Sequence, residues 1–260
     1  MNDFIPAKKS LGQNWLISIS ALDKIITTSK LKAGETVLEI GPGKGALTEK
    51  LLQSKVKVIA IEKDHRLIEF LQAKFADEIA SGQLILLETD VLDLADNFLQ
   101  TLGDYKLIAN IPYYITGELF RKFFETPYQP KQMVVLVQKE VADRITNNKN
   151  KESILSISVK VYGEPKMISK VPRGAFRPVP NVDSAILSIE NINRDFFGDL
   201  NEQTFFKLIK KGFGQKRKLL KSNLETTDEV FTECDIPKNS RAEDLKLTDW
   251  KKLVSVLNLD

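Results

Sequence analysis

Apolar and polar positions follow two alternating patterns along residues 36–137. Short, continuously apolar runs are typical of buried parallel strands, and between them apolar residues recur every three or four positions, as on one face of a helix. This alternation predicts an α/β protein with a doubly wound, Rossmann-like sheet. The predicted strands are residues 36–40, 56–61, 84–87, 105–109 and 133–137.

A glycine-rich loop, residues 41–46, follows the first predicted strand and leads directly into a helical segment. In this setting glycines such as Gly41 and Gly43 let the backbone approach a ligand closely, and the helix N-terminus adds partly positive N–H groups. Glu62 ends the second strand, 21 residues after Gly41, where a carboxylate can accept both hydroxyls of a ribose. The pattern predicts a nucleoside-containing cofactor. It also fits a dinucleotide, so a nicotinamide-dependent dehydrogenase is one alternative.

Two further strand ends carry polar side chains. Asp90 follows the third strand, where it either caps the turn that begins at Val91 or binds the amino group of an adenine. Asn110 follows the fourth strand. Because the carboxyl ends of parallel strands meet at one edge of the sheet, Glu62, Asp90 and Asn110 are expected to converge there.

The segment from Asn110 to Tyr113 is the candidate catalytic stretch. The Asn110 amide oxygen can accept a hydrogen bond, and Pro112 stiffens the turn, which leaves the Ile111 carbonyl free to accept a second. Tyr113 offers a flat face for a planar base. These groups suit an exocyclic amine on an aromatic ring, although Asn and Pro are also common in ordinary turns.

Two other segments are candidate parts of the site. Residues 8–16 are either a flexible arm or a lid whose Gln13 and Asn14 amides reach a ligand. In the Pro-rich loop 171–184, Phe176 lies between two arginines. It either stacks on a flipped base or is a buried anchor of the loop.

The C-terminal third of the chain has a different pattern. A linker-like stretch at 191–195 separates a predicted domain 1–190 from a second, all-helical domain 191–260, and residues 147–151 are predicted as a polar loop. Basic residues cluster in the second domain without an intervening acid, which favours phosphate binding. They are Lys207, Lys210, Lys211, Lys216, Arg217, Lys218 and Lys221.

Composition narrows the possible chemistry. The 260 residues carry a net charge of +3, one cysteine and one histidine, which argues against a disulfide, a Cys/His metal site or a serine triad. The N-terminus has no apolar run of signal-peptide length, and no run approaches a membrane span. A cytoplasmic protein with no metal and no membrane partner is expected.

Taken together, the motifs resemble the family of small-subunit (16S) rRNA adenine N6,N6-dimethyltransferases, the KsgA type. Two departures occur: Trp15 stands where the family usually has Phe, and residues 215–218 replace a more arginine-rich form. The motifs that carry the resemblance span nearly the whole chain. They are Leu11-Gly12-Gln13-Asn14-Trp15-Leu16, Glu39-Ile40-Gly41-Pro42-Gly43-Lys44-Gly45, Asn110-Ile111-Pro112-Tyr113, Gln138-Lys139-Glu140-Val141-Ala142, Phe176 to Ser184, and Arg241-Ala242-Glu243.

The resemblance implies an S-adenosylmethionine-dependent methyltransferase sheet followed by a small helical RNA-binding domain. The expected substrate is a pair of adjacent adenines near the 3′ end of 16S rRNA, in the 30S subunit or its precursor. The expected catalytic residues are Asn110, Ile111, Pro112, Tyr113 and Phe176. The expected cofactor residues are Gln13, Asn14, Leu16, Gly41, Gly43, Glu62, Asp90, Val91 and Asn110.

Two other functions are consistent with the same motifs. One is the macrolide-resistance type of enzyme, which dimethylates an adenine of 23S rRNA. The other is a mainly non-catalytic assembly factor of the small subunit.

Overall fold

The computed structural model describes residues 5–146 and 151–257, so residues 147–150, part of the predicted polar loop, lie outside the described part. Its strands are β1 (Trp15–Leu16), β2 (Thr36–Ile40), β3 (Lys57–Glu62), β4 (Leu84–Glu88), β5 (Tyr105–Asn110), β6 (Gln132–Gln138), β7 (Glu164–Val171), β8 (Phe176–Arg177) and β9 (Ser184–Glu190).

The helices connect these strands and form most of the chain after residue 200. Ser18 caps the first by accepting a hydrogen bond from the Ala21 N–H. They are α1 (Ile19–Ser29), α2 (Ala46–Gln53), α3 (His65–Lys74), α4 (Ala76–Ala80), α5 (Asp96–Thr101), α6 (Thr116–Glu125), α7 (Lys139–Thr146), α8 (Ile154–Lys160), α9 (Glu202–Gly212), α10 (Leu220–Leu224), α11 (Asp228–Glu233) and α12 (Leu247–Val256).

Seven strands form one sheet in the order β4-β3-β2-β5-β6-β9-β7. The first five in this order are parallel, and β9 is antiparallel to both of its neighbours. The chain runs outward from β2 to β4 and then returns to the other side of β2 with β5. This reversal opens a crevice at the carboxyl ends of β2 and β5, where open α/β sheets bind their ligands.

Chain contacts divide the protein into two compact units. One contains residues 1–142 and 164–192, and the other contains residues 143–163 and 193–260. The second unit therefore includes a segment that the predicted boundary at residue 190 leaves in the first. Lys151 explains part of this grouping, because its ammonium lies 2.5 Å from Asp244 and 3.1 Å from Glu243.

A two-stranded antiparallel ribbon, β1 with β8, joins the N-terminal segment to the Pro-rich loop. Trp15 pairs with Arg177, and Leu16 pairs with Phe176. Within residues 5–146 and 151–257, no helix is long and apolar enough to cross a membrane.

Candidate active site

A cavity of about 290 Å³ lies at the carboxyl ends of β2, β3 and β5, at the predicted crevice. Three segments of the chain line it most extensively: the N-terminal segment, the strand ends with their loops, and the turn after β5. The lining residues are Leu11, Gly12, Gln13, Asn14, Trp15, Ile40, Gly41, Gly43, Ile61, Glu62, Lys63, Leu67, Thr89, Asp90, Val91, Leu92, Asn110, Ile111, Pro112, Tyr113, Tyr114, Ile115 and Glu118.

The glycine loop forms one wall of this cavity. Gly43 has a φ of +58°, and a Cβ added there would lie 2.8 Å from Trp15 Cδ1. Only glycine therefore fits beneath the indole, for reasons of both backbone conformation and space. The Lys44 ammonium lies 4.5 Å from the centroid of the Trp15 ring, which is consistent with a cation–π contact.

Glu62 ends β3 and is 8% exposed. Its carboxylate accepts hydrogen bonds from the backbone N–H groups of Lys63 and Asp64, both at 2.9 Å, and of Gly43 at 3.3 Å. Burial raises the pKa of Glu62, and these three N–H groups partly oppose the rise. The carboxylate is thus held rigidly at the glycine loop, on the cavity wall.

Asp90 follows β4 and uses its two oxygens differently. One accepts from the Leu92 N–H at 3.0 Å, and so caps the turn that begins at Val91. The other lies 2.6 Å from the Lys63 ammonium. Partial burial raises the pKa of Asp90, but the Lys63 and Leu92 hydrogen bonds outweigh it, and the net pKa is lowered. Asp90 is therefore an ionised cap that also borders the cavity.

Asn110 has a defined amide orientation. Its Nδ2 donates to the Asn14 carbonyl at 3.0 Å, so its Oδ1 points the other way. Within the described residues, neither this Oδ1 nor the Ile111 carbonyl accepts a hydrogen bond. Both residues line the cavity. Two acceptors are thus available to a ligand with an amino group.

Tyr113 is half-buried beside these acceptors. Its hydroxyl lies 2.7 Å from the Ser184 hydroxyl at the start of β9, which fixes the direction of the ring. Burial raises its pKa. The next residue, Tyr114, also lines the cavity and is 62% exposed. The mouth of the cavity is therefore aromatic.

The structure brings most of the predicted site residues together, Gln13 among them, but leaves Leu16 and Phe176 out of the cavity lining. The Gln13 amide is used inside the protein: its oxygen accepts from the Lys8 N–H, and its nitrogen donates to Asp64. The Leu16 side chain is 5% exposed, belongs to the core and does not line the cavity.

Phe176 is the second residue outside the lining. It is fully buried in the hydrophobic core with Leu16 and Ile186. The interpretation of Phe176 as a base clamp is therefore replaced by the alternative of a buried anchor for the Pro-rich loop. Since an aromatic side chain in such a loop suits either environment, the local sequence does not distinguish them.

Sequence reasoning missed two charged residues at this site, Lys63 and Asp64. Lys63 pairs with Asp90, and Asp64 binds the N-terminal segment. Their positions directly after Glu62 placed them near the strand end, but the partners come from 27 residues or more away in sequence. Only the folded chain reveals them.

A family model described as "Ribosomal RNA adenine dimethylase" matches residues 5–259. This chain belongs to the ribosomal RNA adenine dimethylase family. The expected family and enzyme class, a methyltransferase acting on rRNA adenine, are thereby confirmed.

Curated relatives agree over nearly the full length. The chain is 41% identical over 260 residues to "Ribosomal RNA small subunit methyltransferase A" of Dehalococcoides mccartyi strain CBDB1, covering 96% of this chain and 88% of that protein. It is 35% identical over 264 residues to the protein of the same name from Clostridioides difficile strain 630, covering 96% and 90% respectively.

Solved structures confirm the predicted fold class. A dimethyladenosine transferase from Plasmodium falciparum superposes with a TM-score of 0.79 at 28% identity, over 94% of this chain and 97% of that one. The 23S rRNA methyltransferase ErmE superposes with a TM-score of 0.74 at 22% identity, over 94% and 100%, a level that shows a shared fold.

Proposed function

We propose that this enzyme dimethylates the N6 amino groups of two adjacent adenines near the 3′ end of 16S rRNA, using S-adenosylmethionine. The substrate is the 30S subunit or its precursor, so the enzyme is expected in the cytoplasm. The observation that carries the proposal is the pair of free acceptors, Asn110 Oδ1 and the Ile111 carbonyl, beside the Tyr113 ring.

The residues of the cavity fit the proposed cofactor. Glu62 would accept the ribose hydroxyls, and Gly41 and Gly43 would admit the ligand close to the backbone. Asp90 and Val91 would border the adenine, and Asn14 and Asn110 the reactive end. When bound, S-adenosylmethionine supplies a methyl group already activated on a sulfonium, so no dedicated general base is required.

The protein's own contribution is orientation. The N6 lone pair of adenine is delocalised into the ring and is a poor nucleophile. If Asn110 Oδ1 and the Ile111 carbonyl each accept one N6 hydrogen, they hold the amino group so that its lone pair faces the donor. Tyr113 stacks on the base, and the proton lost from N6 leaves to solvent.

The expected RNA-binding face lies in the second unit. Of the seven clustered cations there, Lys211 pairs with Glu225 and Lys221 pairs with Asp228. The other five are exposed, and none has an ion pair within the described residues. Unpaired exposed cations suit RNA phosphates, and bases in RNA loops cost less to unstack than paired ones.

The deciding experiment is transfer of labelled methyl from S-adenosylmethionine to undermethylated 30S subunits, with 50S subunits and free rRNA in parallel. We expect dimethyladenosine in 30S material alone. Asn110→Ala should lower the rate by on the order of 100-fold. The exposed Asn97 on α5 is the matched control, and Asn97→Ala should keep the wild-type rate.

Two results would redirect the proposal. Label in 23S rRNA would identify the macrolide-resistance type of activity. Cofactor binding without transfer to any substrate would favour the assembly factor, and binding of a nicotinamide dinucleotide instead would revive the dehydrogenase.

A further inference from the structure

The N-terminal strap, defined here as residues 8–15, is attached to the start of α3 by one buried carboxylate. The Asp64 side chain is 1% exposed. Its oxygens lie 3.0 and 2.6 Å from Arg66, 2.9 Å from Gln13 Nε2 and 3.4 Å from the Lys8 ammonium. Four donor atoms from three residues thus meet at a single side chain.

Gln13 links this carboxylate to the fold of the strap. Its Oε1 accepts from the Lys8 N–H at 2.7 Å, while its Nε2 donates to Asp64. Its own backbone N–H donates to the Lys8 carbonyl at 3.4 Å. The strap is therefore closed into a loop around Gln13, and Asp64 holds that loop in place.

The next residue of the strap contacts the catalytic stretch. The Asn14 carbonyl accepts from Asn110 Nδ2 at 3.0 Å, and this bond orients the amide of a residue that lines the cavity. Asp64 also donates its backbone N–H to Glu62 Oε1 at 2.9 Å. One residue is thus connected both to the expected ribose carboxylate and, through the strap, to the expected base acceptor.

We propose that Asp64 is a positioning residue for methyl transfer: through Gln13 it places the Asn14 carbonyl, which in turn orients the Asn110 amide. Gln13 then acts on the reaction through its hydrogen bonds to Asp64 and Lys8, and not through its place in the cavity lining. This inference rests on the proposed function, since it assigns Asn110 the role of accepting from the N6 amino group.

The charge of Asp64 suits a permanent attachment. The Arg66 hydrogen bonds, with smaller contributions from Gln13 and Lys8, hold its pKa well below the usual range. The carboxylate remains ionised at any working pH, so the attachment itself introduces no pH dependence into the rate.

The test uses full-length Gln13 variants, because loss of Asp64 leaves Arg66 without its partner and endangers folding. Gln13→Met removes the link and should lower the single-turnover rate at saturating S-adenosylmethionine by at least about tenfold. Gln13→Glu places a second carboxyl against Asp64 and should lower the rate further above about pH 8. The rate should recover near about pH 5.5, where that carboxyl regains a proton to donate.

Gln53→Glu, on the exposed end of α2, is the matched control and should show neither effect. A purely structural role would lower the unfolding midpoint without the pH-dependent recovery. A wild-type rate in Gln13→Met would overturn the proposal. Weaker cofactor binding with an unchanged rate would also overturn it, because Gln13 would then contact the cofactor directly.

Acrylamide quenching separates this inference from the proposed function. Trp15 lies in the strap, whereas the other tryptophan, Trp250, is fully buried. Gln13→Met should increase quenching of Trp15 even if no RNA is methylated. Unchanged quenching would show that Asp64 does not hold the strap through Gln13.

Discussion

Three acidic side chains near the ends of β2 and β3 are buried, and their partners determine their pKa values. Burial raises the pKa of Glu39, which is 1% exposed, to about 8, against a smaller lowering by the nearby Thr48 hydroxyl. Burial also raises the pKa of Glu62, and three backbone N–H groups oppose that rise, whereas the Arg66 hydrogen bonds lower the pKa of Asp64. Burial alone therefore does not decide the charge of a carboxyl group.

Glu39 should make stability depend on pH. Its folded pKa of about 8 lies above the ordinary value of 4.5, so the folded state binds the extra proton between these values. Its contribution is complete below pH 4.5 and is lost as the pH rises through 8, with a slope of up to about 1.4 kcal/mol per pH unit.

The measurement is the free energy of unfolding in urea across this pH range, for wild type and Glu39→Gln. The substitution should remove the Glu39 part of the slope. Parallel curves for the two proteins would contradict the assignment.

Tyr113 should act through its ring and, to a lesser extent, its hydroxyl. Tyr113→Phe removes the bond to Ser184 but keeps the stacking face, so we expect a loss of a few-fold in kcat/KM. Tyr113→Ala removes the face, and stacking worth about 1–3 kcal/mol predicts a loss of roughly 5- to 150-fold. Steady-state kinetics with 30S subunits measure both, and equal losses would argue against stacking.

At the residue scale, the position of an apolar run predicts which side chains lie at the carboxyl end of a strand. Glu62 and Asn110 were found because each directly follows an apolar run, and the sheet brings such ends together. Asp64 was missed because its role depends on Gln13 and Lys8, which lie 51 and 56 residues away. No local pattern contains that information.

At the scale of elements, the entry into α2 is closely packed. Gly45 precedes α2 with a φ of +78°, and a Cβ there would lie 2.5 Å from Phe75 Cε2. Gly34, before β2, has a similar φ of +84° but nothing within 4 Å. Comparing these two glycines therefore distinguishes the strain of a left-handed backbone from a steric clash of the added Cβ.

Replacing each glycine by alanine should therefore have unequal effects. Gly34→Ala introduces only the strain of a left-handed backbone, which should lower the free energy of unfolding by about 1–2 kcal/mol. Gly45→Ala adds about 1–3 kcal/mol of overpacking against Phe75. Urea unfolding of both variants measures the difference, and equal destabilisation would mean that the Phe75 ring moves aside freely.

The five parallel strands were predictable, and the two-residue strands were not. The five predicted strands all occur as β2 to β6, because apolar runs of this length are typical of buried parallel strands. The β1–β8 ribbon has only two residues on each side, and no periodicity marks it. In this ribbon Phe176 pairs with Leu16, which belongs to the core, and this explains why Phe176 is buried there.

At the scale of the whole molecule, the two units differ in their secondary structure and in their proposed roles. The first contains the sheet and the cavity, and the second is helical and contains the basic cluster. The sequence pattern predicts a change near residue 191, whereas chain contacts group residues 143–163 with the helical unit. That grouping depends on contacts such as Lys151 with Asp244.

The basic cluster should supply salt-dependent affinity. Lys216→Glu combined with Arg217→Glu removes two exposed cations, and each lost phosphate contact should reduce the slope of log affinity against log salt by roughly 0.7–1. Binding to 30S subunits at several salt concentrations measures this. Lys24→Glu, exposed on α1 of the other unit, is the control, and equal effects would argue against a specific RNA-binding face.

Because each unit is built from two separate stretches of the chain, the order of synthesis decides when each unit can be completed. Residues 143–163 emerge from the ribosome before any of residues 193–260. Ile157 and Val159 of α8, which are buried in the folded protein, are therefore made before the rest of their unit. The seven-stranded sheet is also completed late, since β9, which lies between β6 and β7, is the last of its strands to be made. Neither unit is complete until the chain has passed residue 190, so the nascent protein exposes apolar surface from both at once.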